Sequence, residues 1–265
     1  KMNLSWATPE IDALSLDEWE KTFACLSANG FIGIEPIITG VYQTPVNDIL
    51  ELLKRHHLRI TGFRTGGIVQ KHQVSFSDLN AQKRKEALDR FLEVTHYAAE
   101  FGNPKLLVGL MQGKLEDGGS LKTAEGLIKD CVAVCCDEAE KLGLEFDMEP
   151  VNHFELNYHN TVGDMAAFIR EISKPNLKIL IDTYHMYLEE RSIEEAVLQA
   201  KGLLGHVHLA DSNRLIPSTG CFDFPTFFDL LNEIGYKGSF TTETSSEMDA
   251  KNIIEVSNFL TPMIG

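Results

Sequence analysis

The residues best suited to chemistry lie in the second half of the chain, at the ends of four short apolar runs. These are Phe146-Asp147-Met148-Glu149, Leu180-Ile181-Asp182, His206-Val207-His208-Leu209 and Thr241-Thr242-Glu243. Each delivers a carboxylate or an imidazole: Glu149, Asp182, His208 and Glu243. Any one of these acids alone reads as a helix cap or a loop anchor. Four in succession read differently, because three uncompensated carboxylates in one place need a cation. Three carboxylates and one imidazole suit Mn²⁺, Mg²⁺ or Co²⁺, and the single imidazole and missing thiolate argue against structural Zn²⁺. His206 and His208 are two apart and share an orientation in a strand. His208, nearer the strand end, is the better ligand, and His206 reads as a buried histidine one layer deeper.

The elements that must position these groups follow from the apolar pattern. Short runs rich in β-branched residues or Leu occupy residues 2–7, 31–38, 58–63, 105–110, 144–149, 177–182, 205–209 and 239–243. Between them apolar residues recur at helical spacing, most clearly over 81–101 and 121–142. In the latter, Leu127, Cys131, Val134 and Ala139 are expected on one face. Gly30, Gly102, Gly143 and Gly235 stand where helices should stop, and Ser15 and Asn80 where they should be capped. Eight strands alternating with helices at this length predict a (β/α)8 TIM barrel, whose catalytic groups sit at the C-terminal strand ends. The rival, a doubly wound sheet, would carry G-x-G-x-x-G after its first strand. None follows Ala7, and Gly66-Gly67 is an isolated pair. No Pro/Ser-rich linker divides the chain, so residues 1–265 are expected to form one domain.

Composition narrows the partners. A net charge of −15 argues against nucleic acid, whose phosphates require clustered Lys and Arg. It reads as a solvated acidic surface. The five cysteines, Cys25, Cys131, Cys135, Cys136 and Cys221, form no metal-binding spacing and read as reduced cytoplasmic thiols. No run is long enough to span a bilayer and no leader is evident, with Met2 reading as the natural start.

The later motifs carry a resemblance. The segment from Glu149 to Glu155 (Glu-Pro-Val-Asn-His-Phe-Glu), Asp182-Thr183-Tyr184-His185-Met186 with Glu189-Glu190, and the run from His206 to Arg214 are similar to the D-tagatose 3-epimerase branch of the xylose-isomerase-like barrels. So are the blocks 220–224 and 233–238. The likeness is strong from about residue 145 to 243, while the first half agrees mainly in rhythm. The resemblance implies a sugar isomerase or epimerase with one divalent metal, Mn²⁺ first, held by Glu149, Asp182, His208 and Glu243. It also implies that Glu149 and Glu243 form the acid–base pair, that Glu155, His185 and Arg214 contact substrate, and that the chain forms homodimers or homotetramers. Two departures bear on substrate preference: His153 stands where the family often has Arg, and Pro217-Ser218-Thr219-Gly220-Cys221-Phe222-Asp223 lacks a glycine and a histidine of the usual loop.

A metal at this place would polarise a ketose carbonyl. Inverting C3 through a cis-enediolate needs a proton removed from one face and returned to the other. Two glutamates therefore favour epimerisation over aldose–ketose isomerisation, which uses one face. His185 and Arg214 would hold the C2 oxygen. A keto-polyol dehydratase would share the site, and a non-catalytic sugar-binding barrel would be expected to lose one glutamate. A three-zinc endonuclease would need further ligands that strands three and four do not supply. Glu155 and Arg214 could instead form a loop ion pair. Arg64 reads as a surface arginine on a flexible loop, with a substrate phosphate as the alternative. Trp6 and Phe63 could line the pocket or the core, and Cys221 reads as a loop thiol without a role. Glu35-Pro36 is left open between a further site residue and a loop anchor.

Overall fold

The strands form where β-branched and aromatic residues alternate between barrel interior and helix layer. The computed structural model describes residues 3–264, so the reading of Met2 as start and first strand residue lies outside it. The strands are β1 (Leu4–Thr8), β2 (Gly33–Pro36), β3 (Arg59–Ile60), β4 (Gly62–Arg64), β5 (Lys105–Val108), β6 (Phe146–Met148), β7 (Leu177–Asp182), β8 (Leu204–Leu209) and β9 (Phe240–Thr242). Their order is β3-β2-β1-β9-β8-β7-β6-β5-β4, with every pairing parallel.

β3 and β4 are one strand interrupted at Thr61. Its amide donates to Ile34 O and its carbonyl accepts from the Lys105 amide, both at 3.0 Å. The split strand thus bonds β2 on one side and β5 on the other, and the sheet closes into the expected (β/α)8 barrel.

The closing register explains how the four late strand ends meet. Met148 pairs with Ile179, so Glu149 is level with Leu180, two residues short of Asp182. Asp182 faces His208, and Glu243 lies two residues beyond Thr241, the other partner of His208. An advance of about one residue per strand is the shear of a tilted barrel, and it brings the four ends to one height.

The helices follow the sequence closely. Those at Ala81–Ala99 and Leu121–Lys141 occupy the expected spans, and Ser15 and Asn80 cap as expected, Ser15 in a capping box with Glu18. The four stop glycines all have positive φ, from 71° to 94°. One face is corrected: in Leu121–Lys141 the buried side is Ala124, Ile128, Cys131, Val132, Cys135, Cys136 and Ala139, while Val134 is exposed. The axis of the buried stripe runs through Cys131, Cys135 and Ala139, and a turn of 100° per residue swings Val134 outward. Burial pushes the Cys131 and Cys136 thiols up to about 11 and about 12, which leaves them unreactive. No helix among the described residues is long and apolar enough to cross a membrane.

Candidate active site

Glu149 and Glu243 each stand one residue past a strand, yet both remain in the ladder. The Glu149 amide donates to Val108 O at 2.9 Å and the Glu243 amide to Leu209 O at 3.1 Å, so neither sits on a free loop. Asp182 ends β7 and caps the helix Thr183–Glu189, its Oδ1 accepting from the amides of Tyr184 and His185 at 2.8 and 3.2 Å. Capping by one oxygen fixes the carboxylate and leaves Oδ2 facing the barrel mouth. Gly109 gives Glu149 its room: a Cβ there would lie 2.7 Å from Glu149 Oε2.

Glu149, Asp182, His208 and Glu243 come together, each offering a ligand atom within 4.8 Å of the others. Nδ1 of His208 is the nitrogen turned to this group, 3.0 Å from Glu243 Oε2 and 3.9 Å from both Glu149 Oε1 and Asp182 Oδ2. Its Nε2 lies 3.0 Å from Glu35 Oε2. Burial by itself would depress the His208 pKa, but the carboxylates of Glu243 and Glu35 hold it well above the usual histidine range.

Glu35 resolves what the sequence left open. It is fully buried on β2 and accepts from His206 Nε2 at 2.6 Å, Thr241 Oγ1 at 2.6 Å and Thr61 Oγ1 at 3.1 Å. With His206 and His208 it forms a second group of metal-ligating type, beneath the first. His206 is buried one layer deeper, as expected. The signal for Glu35 was present as a lone acid inside an apolar strand, but its histidine partners are more than 170 residues away.

Two arginines hold the carboxylates. Arg214 bonds Asp182 Oδ2 at 2.6 Å and Glu243 Oε2 at 2.8 Å, and its guanidinium lies 5.1 Å from the Tyr184 ring centre. The pair with Glu155 does not form. Arg214 reaches this place from a left-handed backbone, φ +63°, the kind of strain found at functional sites. Arg64 is the larger correction. It is not a surface arginine: its side chain is 16% exposed and bonds Glu243 Oε1 at 2.8 Å, the Glu35 carbonyl and the Thr8 carbonyl. The end of β4 aims it across the barrel mouth, a direction that sequence spacing does not contain.

These partners divide the two glutamates. Burial would raise Glu243, but His208, Arg214 and Arg64 hold its carboxyl well below the ordinary range. Glu149 is pushed well above it by burial and by Glu243, and its Oε1 is buried without a hydrogen-bond partner. An orphaned buried carboxylate oxygen facing two more carboxylates and an imidazole nitrogen fits a divalent cation, and the cluster can hold one.

The remaining expected residues line one cleft. His185 and exposed Glu155 share it with Glu149, His208, Arg214 and Glu243. His185 Nδ1 accepts from Asn152, at 3.4 Å from the amide and 2.7 Å from Nδ2, which leaves the proton on Nε2, 3.7 Å from Glu149 Oε1. Burial lowers the His185 pKa. Asn152 went unremarked within the Glu149–Glu155 motif. Trp6 and Phe63 are core residues, packed on Phe31 and Phe101. Cys221 is exposed, beside Tyr187 and Ser212. Ser218 takes the place of the missing loop glycine with φ +95°, its amide held by Asp211 Oδ2 at 3.0 Å. His153 pairs with Glu189.

A profile of the xylose isomerase-like TIM barrel family matches residues 23–263. A ketose 3-epimerase from Arthrobacter globiformis is 35% identical over 164 residues, 61% of this chain and 55% of that protein. The chain thus spans about half the length of that relative. A 3-dehydro-D-guloside 4-epimerase from Escherichia coli is 27% identical over 223 residues, 82% of this chain and 83% of that protein. The crystal structure of a D-allulose 3-epimerase from Methylomonas sp. superposes with a TM-score of 0.83 over 99% of each chain at 23% identity, a likeness of fold.

Proposed function

Because the chain belongs to the xylose isomerase-like TIM barrel family, we propose that it is a divalent-metal-dependent sugar epimerase that inverts C3 of a ketose. The observation that carries this reading is that Glu149 and Glu243 belong to one four-residue metal-ligating cluster and that both line the same cleft. Glu149, Asp182, His208 and Glu243 would hold the metal, Mn²⁺ by preference, with Mg²⁺, Co²⁺ or Zn²⁺ as alternatives. The bound metal supplies Lewis-acid polarisation of the C2 carbonyl. Glu243, kept ionised by its cationic neighbours, removes the C3 proton. Glu149 returns one from the opposite face of the cis-enediolate. His185, with its proton on Nε2, and Arg214 donate to the C2 oxygen as charge develops there. Glu155, at the cleft's open side, binds a hydroxyl further along the sugar.

The test is incubation of metal-loaded protein with ketoses in D₂O. Deuterium at C3 with appearance of the second epimer is expected. Deuterium at C1 or C2 would make the chain an aldose–ketose isomerase, and an absorbing enone a dehydratase. No exchange with any keto-sugar would refute all three. Glu243→Gln is expected to abolish exchange while metal is retained.

A further inference from the structure

The cleft that holds the candidate ligands is small, about 160 Å³, but it does not end at Glu155. A groove of about 590 Å³ continues from it and shares Gln70, Leu110 and Glu155 as common walls. Its walls are the segments that follow β4, β5 and β6, and these are tied to one another. The Leu79 amide donates to Asp117 O at 2.8 Å, the Leu115 amide to Asn157 Oδ1 at 2.9 Å, and the Tyr158 hydroxyl to Gln112 O at 3.1 Å. The groove is therefore preformed, as ligand sites usually are.

Its chemistry is specific. Phe154 lines the groove with 73% of its surface exposed, and its ring centre lies 4.1 Å from that of His153. Asp78, Lys83, Lys114 and Asp117 line the same groove. With Glu155, carboxylates outnumber ammonium groups three to two, which disfavours a phosphate or any other anion. An exposed aromatic ring in a groove that also carries donors and acceptors of both charges, Lys83 within 3.9 Å of Asp78 among them, suits an uncharged polyhydroxylated ring, whose C–H face packs on the aromatic while its hydroxyls bond the polar walls.

We propose that this groove binds a second sugar unit, so that the preferred substrate is a keto-sugar carrying a glycosyl substituent rather than a free monosaccharide. The proposal rests on the epimerase reading for the reacting unit, and the groove accounts for the rest of the substrate. Glu155 sits at the junction and would contact both.

The test compares D-fructose with three glucosyl-fructoses that keep C2 and C3 free: maltulose, leucrose and isomaltulose, linked at O4, O5 and O6. Binding to the Mn²⁺-loaded protein is measured by calorimetry, and C–H exchange in D₂O gives kcat/KM. At least one disaccharide is expected to bind about tenfold more tightly than fructose and to show a kcat/KM about tenfold higher, carried mainly by KM. Phe154→Ala and Lys83→Ala are expected to bring both ratios close to one. Equal affinity for fructose and all three disaccharides would overturn the proposal, as would a preference that neither substitution alters. A binding preference without exchange would leave the groove standing and refute the epimerase reading. Exchange on fructose without a glycosyl preference would do the reverse.

Discussion

Replacing Glu35 by alanine tests how the site is held from below. Glu35 accepts from His206, His208, Thr241 and Thr61 in a fully buried position. Burial would raise its pKa, yet His206 and His208 depress it strongly, so the carboxylate is a stabilising anion at neutral pH. A depressed carboxyl contributes stability above its unfolded value of about 4.3, lost as pH falls through the lower folded value. Removing it strands two buried imidazoles, and losing one partner of such a group costs about 3–5 kcal/mol. For a chain of this size that lowers Tm by roughly 10 °C. The sharper consequence concerns His208, whose Nε2 is fixed by Glu35 while Nδ1 faces the candidate ligand cluster. Partners of this kind change metal affinity by about 10–100-fold. Calorimetric Tm and chelator-competition affinity for Mn²⁺ measure the two effects separately. Glu35→Gln keeps the volume but directs an amide N–H at groups that already donate. It is expected to recover much of the Tm and little of the affinity. A folded Glu35→Ala protein that binds Mn²⁺ within about twofold of the parent would refute the argument.

Three further outcomes follow from the same geometry. Mn²⁺ at about 100 times its Kd should stabilise chelator-treated protein by about 2.7 kcal/mol, read as a rise in Tm. Asp182→Asn should remove that rise yet keep the helix cap, since Asn caps as well as Asp; an undiminished rise would take Asp182 out of the ligand set. Asp147 is fully buried on β6 with Lys105 Nζ 3.6 Å from its Oδ2 and neither oxygen hydrogen-bonded, and burial outweighs the lysine and pushes its pKa up to about 8. The folded chain then keeps a proton that the unfolded chain has released, so stability falls as pH rises from about 4 towards 8. Asp147→Asn should flatten urea-derived stability between pH 5 and pH 8 by up to about 4 kcal/mol relative to the parent, and an unchanged slope would count against the buried-acid account.

The sequence by itself determined the alternation of strands and helices, the caps at Ser15 and Asn80, and the identity of the strand-end acids and histidine. These are legible because they depend on local pattern: periodicity of two or of 3.6, and capping chemistry within one turn. Face assignment was the weakest local step, since one residue turns a helix by 100° and Val134 fell on the wrong side. The tertiary structure alone decided what lies across the barrel. Arg64 reaches Glu243 over 179 positions and Glu35 reaches His208 over 173. Such pairs are fixed by barrel closure and by the shear of tilted strands, which no local pattern encodes. The groove beside the cleft is likewise assembled from three segments that follow different strands. Strand ends could be read as candidate ligands one by one, but which cation neutralises which carboxylate became readable only when the barrel closed.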